Sequence, residues 1–175
     1  ERKTLLMSES KNSILSTPLE NLRFNKNLLP HIEAEPKKQA IESHEPLILV
    51  NAGQDVGTMG ILLHRVNYMT QSGIDYEKIV VISATNANAE NYDATCRFTG
   101  STTVEKFAKQ ISGKYPIRYK HFIIHGVSDE QANDLALILQ HAADNKASVF
   151  IIGNARTANI MAELVDEEAF VLYNL

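Results

Sequence analysis

The sequence predicts a three-layer α/β domain with a mainly parallel central sheet, preceded by an N-terminal arm of short helices and irregular chain. Three observations carry this reading. From Pro46 onward five short runs of β-branched and other apolar residues recur, each run is continuous rather than alternating, and segments of helical character separate them. Continuous apolar runs are what strands need when helices cover both faces of a parallel sheet, and right-handed crossovers put the helices there.

Residues 1–45 form the arm in this reading. Thr4 to Leu15 has the spacing of a short amphipathic helix. Pro18, Pro30 and Pro36 then punctuate a polar stretch, Asn21-Leu22-Arg23-Phe24-Asn25-Lys26-Asn27, that holds no period. Pro36 stands where a first helical residue would, so Pro36 to Ser43 is expected as a helix that feeds the core. The domain proper occupies 46–175. Its strands are expected at Leu47–Val50, Ile79–Ile82, Phe122–Ile124, Val149–Ile152 and Phe170–Tyr173. Its helices are expected at Gly57–Ser72, Thr85–Tyr92, Ser101–Ser112, Ser128–Asn145 and Thr157–Val165. Ser128 with Gln131 three residues on makes a capping box, and Gly73 and Gly113 stand where a left-handed residue closes a helix. We find no internal repeat. Ligands of such a sheet meet the loops after the strand carboxyl ends, so function is sought in five loops.

Composition removes several classes. With 44% hydrophobic and 22% charged residues among 175, the chain has globular proportions, which excludes wholesale disorder and low-complexity chains. The one cysteine, Cys96, forms no internal disulfide, so no oxidising compartment is indicated and a cytoplasmic location is expected. No apolar run approaches the roughly 20 residues of a membrane span, and Glu1-Arg2-Lys3-Thr4 lacks the apolar core of a signal peptide; no membrane insertion is expected. A start without methionine leads us to expect a piece of a longer protein. The net charge of −4 gives no general pull on nucleic acid. Charge is regional, however. Arg97 to Lys120 holds six basic residues and one acid, whereas Ser128 to the end holds eight acids and two basic residues.

The loops carry the chemistry. Asn51 to Gly60 runs from a strand into a helix, the setting of a phosphate-binding P-loop, represented here by Asn51, Gly53, Gly57, Thr58 and Met59. A working P-loop wraps phosphates with backbone N–H groups, extends a Lys to the terminal phosphates and sets a Ser or Thr hydroxyl on Mg²⁺. Here Thr58 and Met59 follow Gly57, so the ammonium is missing, a thioether fills the hydroxyl position, and Asp55 adds a negative charge to the cradle. Val81-Ile82-Ser83-Ala84-Thr85-Asn86-Ala87-Asn88-Ala89-Glu90 is a strand that ends in an Ala-Thr turn and an Ala-bearing helix. Phe98-Thr99-Gly100-Ser101-Thr102-Thr103-Val104-Glu105-Lys106-Phe107 is a Thr-bearing segment followed by a helix. Phe122-Ile123-Ile124-His125-Gly126-Val127-Ser128 has His125 and Gly126 where an Asp-Glu metal and water motif would lie. Val149-Phe150-Ile151-Ile152-Gly153-Asn154-Ala155-Arg156-Thr157 lacks both the acid and the amide of a Gly-Asp-x-x-Gln sensor.

Taken in order, these five segments resemble the first RecA-like subdomain of superfamily 1B, RecD-like helicases, over roughly Glu45 to Leu175. With every ATPase position lost, the chain is similar above all to the vestigial RecD-like domain of F-type, TraI-like conjugative relaxase-helicases. The resemblance implies a RecA-like, P-loop NTPase-like fold with a short helix and a polar connection ahead of the first strand. It also implies an inactive domain that binds single-stranded DNA, supports plasmid transfer, and contributes to the signal by which type IV secretion recognises the relaxase. The expected partners are single-stranded DNA, held weakly, the other domains of the parent protein, and a secretion coupling protein.

Residue by residue, the expectations are as follows. Loss of the Lys and the Mg²⁺ ligand removes the electrostatic stabilisation on which phosphoryl transfer depends, so we expect no turnover, no metal and no cofactor. His125 has no second His or Cys at ligand spacing, and a satisfied histidine is favoured over a base or ligand; His64, His121 and His141 read the same way. Cys96 reads as a buried thiol. For a single strand, Thr85, Asn86, Ser101, Thr102 and Thr103 offer donors to phosphates, Arg97, Lys106, Lys109 and Arg156 supply cations, and Phe98 and Tyr92 offer faces for bases. The competing reading makes Phe98 and Phe107 core residues and the hydroxyls helix caps. Tyr115 and Tyr119 either help or cover a sheet edge. A rival function, docking of a protein partner on the acidic helices Ser128–Asn145 and Thr157–Glu168, stays open.

Overall fold

The computed structural model describes residues 35–53, 56–96 and 101–175, with side chains for all of these except 92–96. The chain enters through helix α1 (Glu35–Ile41) and then alternates. Strand β1 (Leu47–Asn51) leads to α2 (Thr58–Gln71), β2 (Ile79–Ser83) to α3 (Asn86–Cys96), and β3 (Ser101–Thr103) to α4 (Val104–Ser112). Strand β4 (His121–His125) leads to α5 (Ala132–Asp144), β5 (Ser148–Gly153) to α6 (Ala155–Leu164), and β6 (Val171–Asn174) closes the chain. The sheet order is β3-β2-β4-β5-β1-β6 and every pairing is parallel. This is a RecA-like three-layer α/β architecture.

Four of the five continuous apolar runs are covered on both faces as their pattern predicts; the fifth, expected at Phe170–Tyr173, forms β6 at the sheet edge and leaves Leu172 47% exposed. Alternate residues of one strand serve opposite faces. Ile48, Val50, Ile79, Val81, Ile123, Phe150 and Ile152 belong to the core under α1 and α2. Leu49, Val80, Ile82, Phe122, Ile124, Val149 and Ile151 belong to the core under α4, α5 and α6. The register lines up Leu49, Ile151, Ile124 and Ile82 across four strands, so a substitution in that row is felt along the sheet.

Two local readings are corrected. Where the sequence places the first turn of a helix, residues 101–103 form an edge strand against β2, with Val81 opposite Ser101 and Ser83 opposite Thr103. Ser-Thr-Thr favours extended backbone through its β-branched members, and Thr103 Oγ1 accepts the Lys106 N–H at 3.3 Å, so the helix starts one residue after this cap. Gly73 takes the expected left-handed conformation, with φ of 99°. Gly113 does not: its φ is −76°, and the left-handed residue is Lys114, with φ of 60°. Hydrogen bonds place the turn one residue later, the Lys114 N–H donating to Ile111 O and the Tyr115 N–H to Gln110 O.

The helix expected from Pro36 is α1, and a buried cation holds it. Ala40 and Ile41 are buried against α2. Arg65, only 5% exposed, donates from Nη1 to Ile41 O and Ser43 O, both at 2.7 Å, and its guanidinium lies 5.0 Å over the Phe150 ring. Burial pulls its pKa down to about 10, so it remains charged at neutral pH.

Candidate functional site at the carboxyl edge

The loops after β1, β4 and β5 surround a cleft of about 430 Å³ whose walls include Gly53, Thr58, His125, Gly126, Asn154 and Arg156. Gly57 precedes α2 with φ of 77° and ψ of 64°, a left-handed turn that glycine adopts at little cost, and its carbonyl accepts the Ile61 N–H at 3.2 Å. This turn presents Thr58 to the end of β4. There Thr58 Oγ1 and His125 Nε2 are hydrogen-bonded at 3.2 Å. Burial holds the His125 imidazole below the ordinary histidine range, which keeps it neutral and suits a hydroxyl partner.

The same loop is braced from behind. Lys37 of α1 donates from Nζ to Val56 O at 3.1 Å, and the Ala52 N–H donates to Gly153 O at 2.7 Å. Asn51, at the end of β1, donates from Nδ2 to Asn174 Oδ1 at 3.1 Å across to β6. Met59 receives a long contact from Asn91 Nδ2, 4.0 Å from its sulfur. Gln54 and Asp55 lie outside the described residues.

These residues do not fit a nucleotide with its Mg²⁺. The position of the phosphate-binding Lys holds Thr58, the metal-hydroxyl position holds Met59, and the strand end that should offer acids offers His125 and Gly126. Among the described residues no group of three or more His, Cys, Asp or Glu is placed to hold a metal ion. Among the described residues the other histidines have packing or hydrogen-bond partners: His121 Nδ1 pairs with Ser148 Oγ at 2.8 Å, His44 Nε2 pairs with Tyr68 OH at 2.9 Å, His141 stacks on Phe122, and His64 is buried in α2.

Along the edge toward β2 and β3 the predicted strand-binding residues separate by role. Thr85 and Asn86 are exposed, and Thr85 Oγ1 accepts the Asn88 N–H at 3.2 Å, which caps α3. Thr103 is buried as the cap of α4, whereas Ser101 and Thr102 are half-buried in β3. Lys106 and Lys109 are exposed on successive turns of α4, and Phe107 between them is fully buried. Arg156 is away from these residues, on the wall of the cleft, 4.0 Å from Asp129, with both side chains about two-thirds exposed. Such an exposed pair contributes little stability. Arg97 and Phe98 lie outside the described residues, as does the Tyr92 side chain.

One residue joins these loops. Gln131 is buried; its Oε1 accepts the Ser128 N–H at 3.0 Å, completing one arm of the predicted capping box. Its Nε2 donates to Ala84 O at 2.9 Å and to Glu105 Oε2 at 2.8 Å. A single amide thus ties the loop after β4 to the loop after β2 and to α4. The capping signal marks Gln131 in the sequence; its two further contacts depend on strand order, which local pattern does not report.

Comparison with protein-family models finds no match, and no curated protein is significantly similar to the chain. No helix among the described residues is long and apolar enough to cross a membrane.

Proposed function

We propose that this chain is a non-catalytic RecA-like domain that holds single-stranded DNA, the role implied by its resemblance to the vestigial RecD-like domain of a conjugative relaxase-helicase, and that it supports plasmid transfer within such a protein. The observation that carries the reading is the Thr58–His125 hydrogen bond. It joins the two positions at which a motor would hold its phosphate-binding Lys and its metal-binding acid, and it engages both with each other. The scaffold retains exposed donors at the β2–β3 end, Thr85 and Asn86, with Lys106 and Lys109 beside them on α4. A few neutralised phosphates give weak, salt-sensitive binding.

Fluorescence anisotropy with a labelled oligothymidylate, at about 50 and 200 mM salt, tests this. Binding is expected at the lower salt and loss of affinity at the higher. Lys106→Ala with Lys109→Ala is expected to weaken binding and to flatten the salt dependence by about 1.4 in log–log slope, from roughly 0.7 per phosphate contact. Equal affinities for the two proteins would discard this placement, and no binding at low salt would discard the reading. In that event protein docking becomes the better account. It is supported by a groove of about 530 Å³ between α5 and α6, walled by Leu47, Leu139, Leu164 and Val165 with Asp166 at its rim.

A further inference from the structure

Among the described residues the carboxyl edge is not where most of the exposed cations of the sheet edges gather. The basic stretch of the sequence is divided by α4, which keeps Lys106 near the carboxyl edge and delivers Lys114, Arg118 and Lys120 to the opposite, amino edge. Lys78 and Lys146 are already there, in the residues leading into β2 and β5. Hydrogen bonds make them neighbours: the Lys120 N–H donates to Lys78 O at 2.8 Å, and the Ser148 N–H donates to Lys120 O at 2.9 Å. Adjacent strands are about 4.8 Å apart, so the segments that carry Lys78, Lys120 and Lys146 run side by side along this edge. All five are exposed. Beside them Tyr115 is 65% exposed, its backbone anchored to Gln110 O at 3.2 Å.

The acids on this part of the edge are Asp75, Glu77 and Asp144. Asp75 accepts the Glu77 N–H at 3.2 Å and Asp144 accepts from Gln140 Nε2 at 2.9 Å. The β1–β6 part of the same edge carries Glu45, Asp166, Glu167 and Glu168, so the edge is polarised along its length.

A second observation points to the same residues. Among the described residues only Lys114 and Lys146 combine a side chain beyond glycine with positive φ, 60° and 56°. Each follows the end of a helix, α4 or α5, where glycine or asparagine is the usual choice because a left-handed backbone disfavours a Cβ. Lysine at both places puts a cation on the amino edge at the expense of local stability, the pattern expected where binding selects the residue.

We propose that the amino edge binds the backbone of single-stranded nucleic acid, with Lys78, Lys114, Arg118, Lys120 and Lys146 on phosphates and Tyr115 as a platform for one base. The partner class rests on the nucleic-acid reading above; the surface is a different one, and it carries the larger share of the affinity. An exposed ring among cations suits splayed bases, which a duplex does not offer.

The test is the oligothymidylate titration of the intact chain, with Lys114→Gly combined with Lys146→Gly. Glycine relieves the left-handed backbone while removing both charges, so the thermal midpoint is expected to hold or rise. Affinity is expected to fall about fivefold or more and the salt slope to become shallower by about 1.4. Tyr115→Ala is expected to weaken binding with the slope unchanged. Unchanged affinity and slope in the double glycine variant would overturn the amino-edge surface even where Lys106→Ala with Lys109→Ala weakens binding. A wild type that fails to bind at low salt would overturn this surface together with the reading it rests on.

Discussion

Arg65→Ala is expected to cost about 3 kcal/mol and to loosen α1 from the rest of the domain. The guanidinium supplies hydrogen bonds at 2.7 Å to two carbonyls at the end of α1, Ile41 O and Ser43 O, and its cation faces the Phe150 ring. A hydrogen bond from a charged donor contributes about 1.5–3 kcal/mol net, and relief of the buried charge offsets part of the combined loss. Domains of this size are stable by only about 5–15 kcal/mol, so the change is large. Urea unfolding should show a lower midpoint, and amide exchange should accelerate first in α1. An unchanged midpoint would mean that Ala40 and Ile41 hold the helix without the cation.

Gly153→Ala is expected to cost a similar amount, about 3 kcal/mol, for a steric reason. A Cβ at Gly153 would lie 2.6 Å from the Thr157 Cβ and closer still to its hydroxyl. Thr157 is only 2% exposed and has no free rotation outward. Its helix is also fixed in place, because Asn154 Oδ1 accepts the Arg156 and Thr157 N–H groups at 3.0 and 3.3 Å. The backbone must therefore shift, and Gly153 is the residue whose carbonyl holds Ala52 at the start of the loop after β1. Combining Gly153→Ala with Thr157→Gly should recover about 2 kcal/mol relative to the sum of the single changes. Strict additivity in denaturant unfolding would remove the steric account.

How much of this was legible beforehand depends on whether the cause is local. Strands β1, β2, β4 and β5 declare themselves because both faces of each are covered, which leaves no polar interruption in runs such as Ile79–Ile82, whereas β6 is an apolar run that leaves Leu172 exposed at the sheet edge. Strand β3 is hidden: three polar residues at an edge carry no apolar run, and only pairing with β2 makes Ser101–Thr103 a strand. The capping role of Ser128 and Gln131 is local and readable. Arg65 has a readable position, four residues from Ile61 and four from Met69 on the inner face of α2, but its partners come from α1 and β5 and cannot be named from spacing.

The site divides in the same way. The proposal that Thr58, Met59, His125 and Gly126 stand in place of the residues of a motor rests on the loop sequences. That Thr58 and His125 meet is not written there, since 67 residues separate them and the contact needs β4 and β1 placed on either side of β5. The basic stretch shows the opposite effect. Contiguous in sequence, it is split between two edges because α4 runs antiparallel to the strands.

The most direct test of the claim that this scaffold carries no working nucleotide engine is phosphate release from ATP by the full chain, with Mg²⁺ and saturating oligothymidylate. The account predicts a rate equal to that of the protein-free blank, in wild type and Thr58→Lys alike, because one restored ammonium supplies neither the metal hydroxyl nor the acids. Magnesium-dependent release above the blank that disappears in Gly57→Val would contradict it.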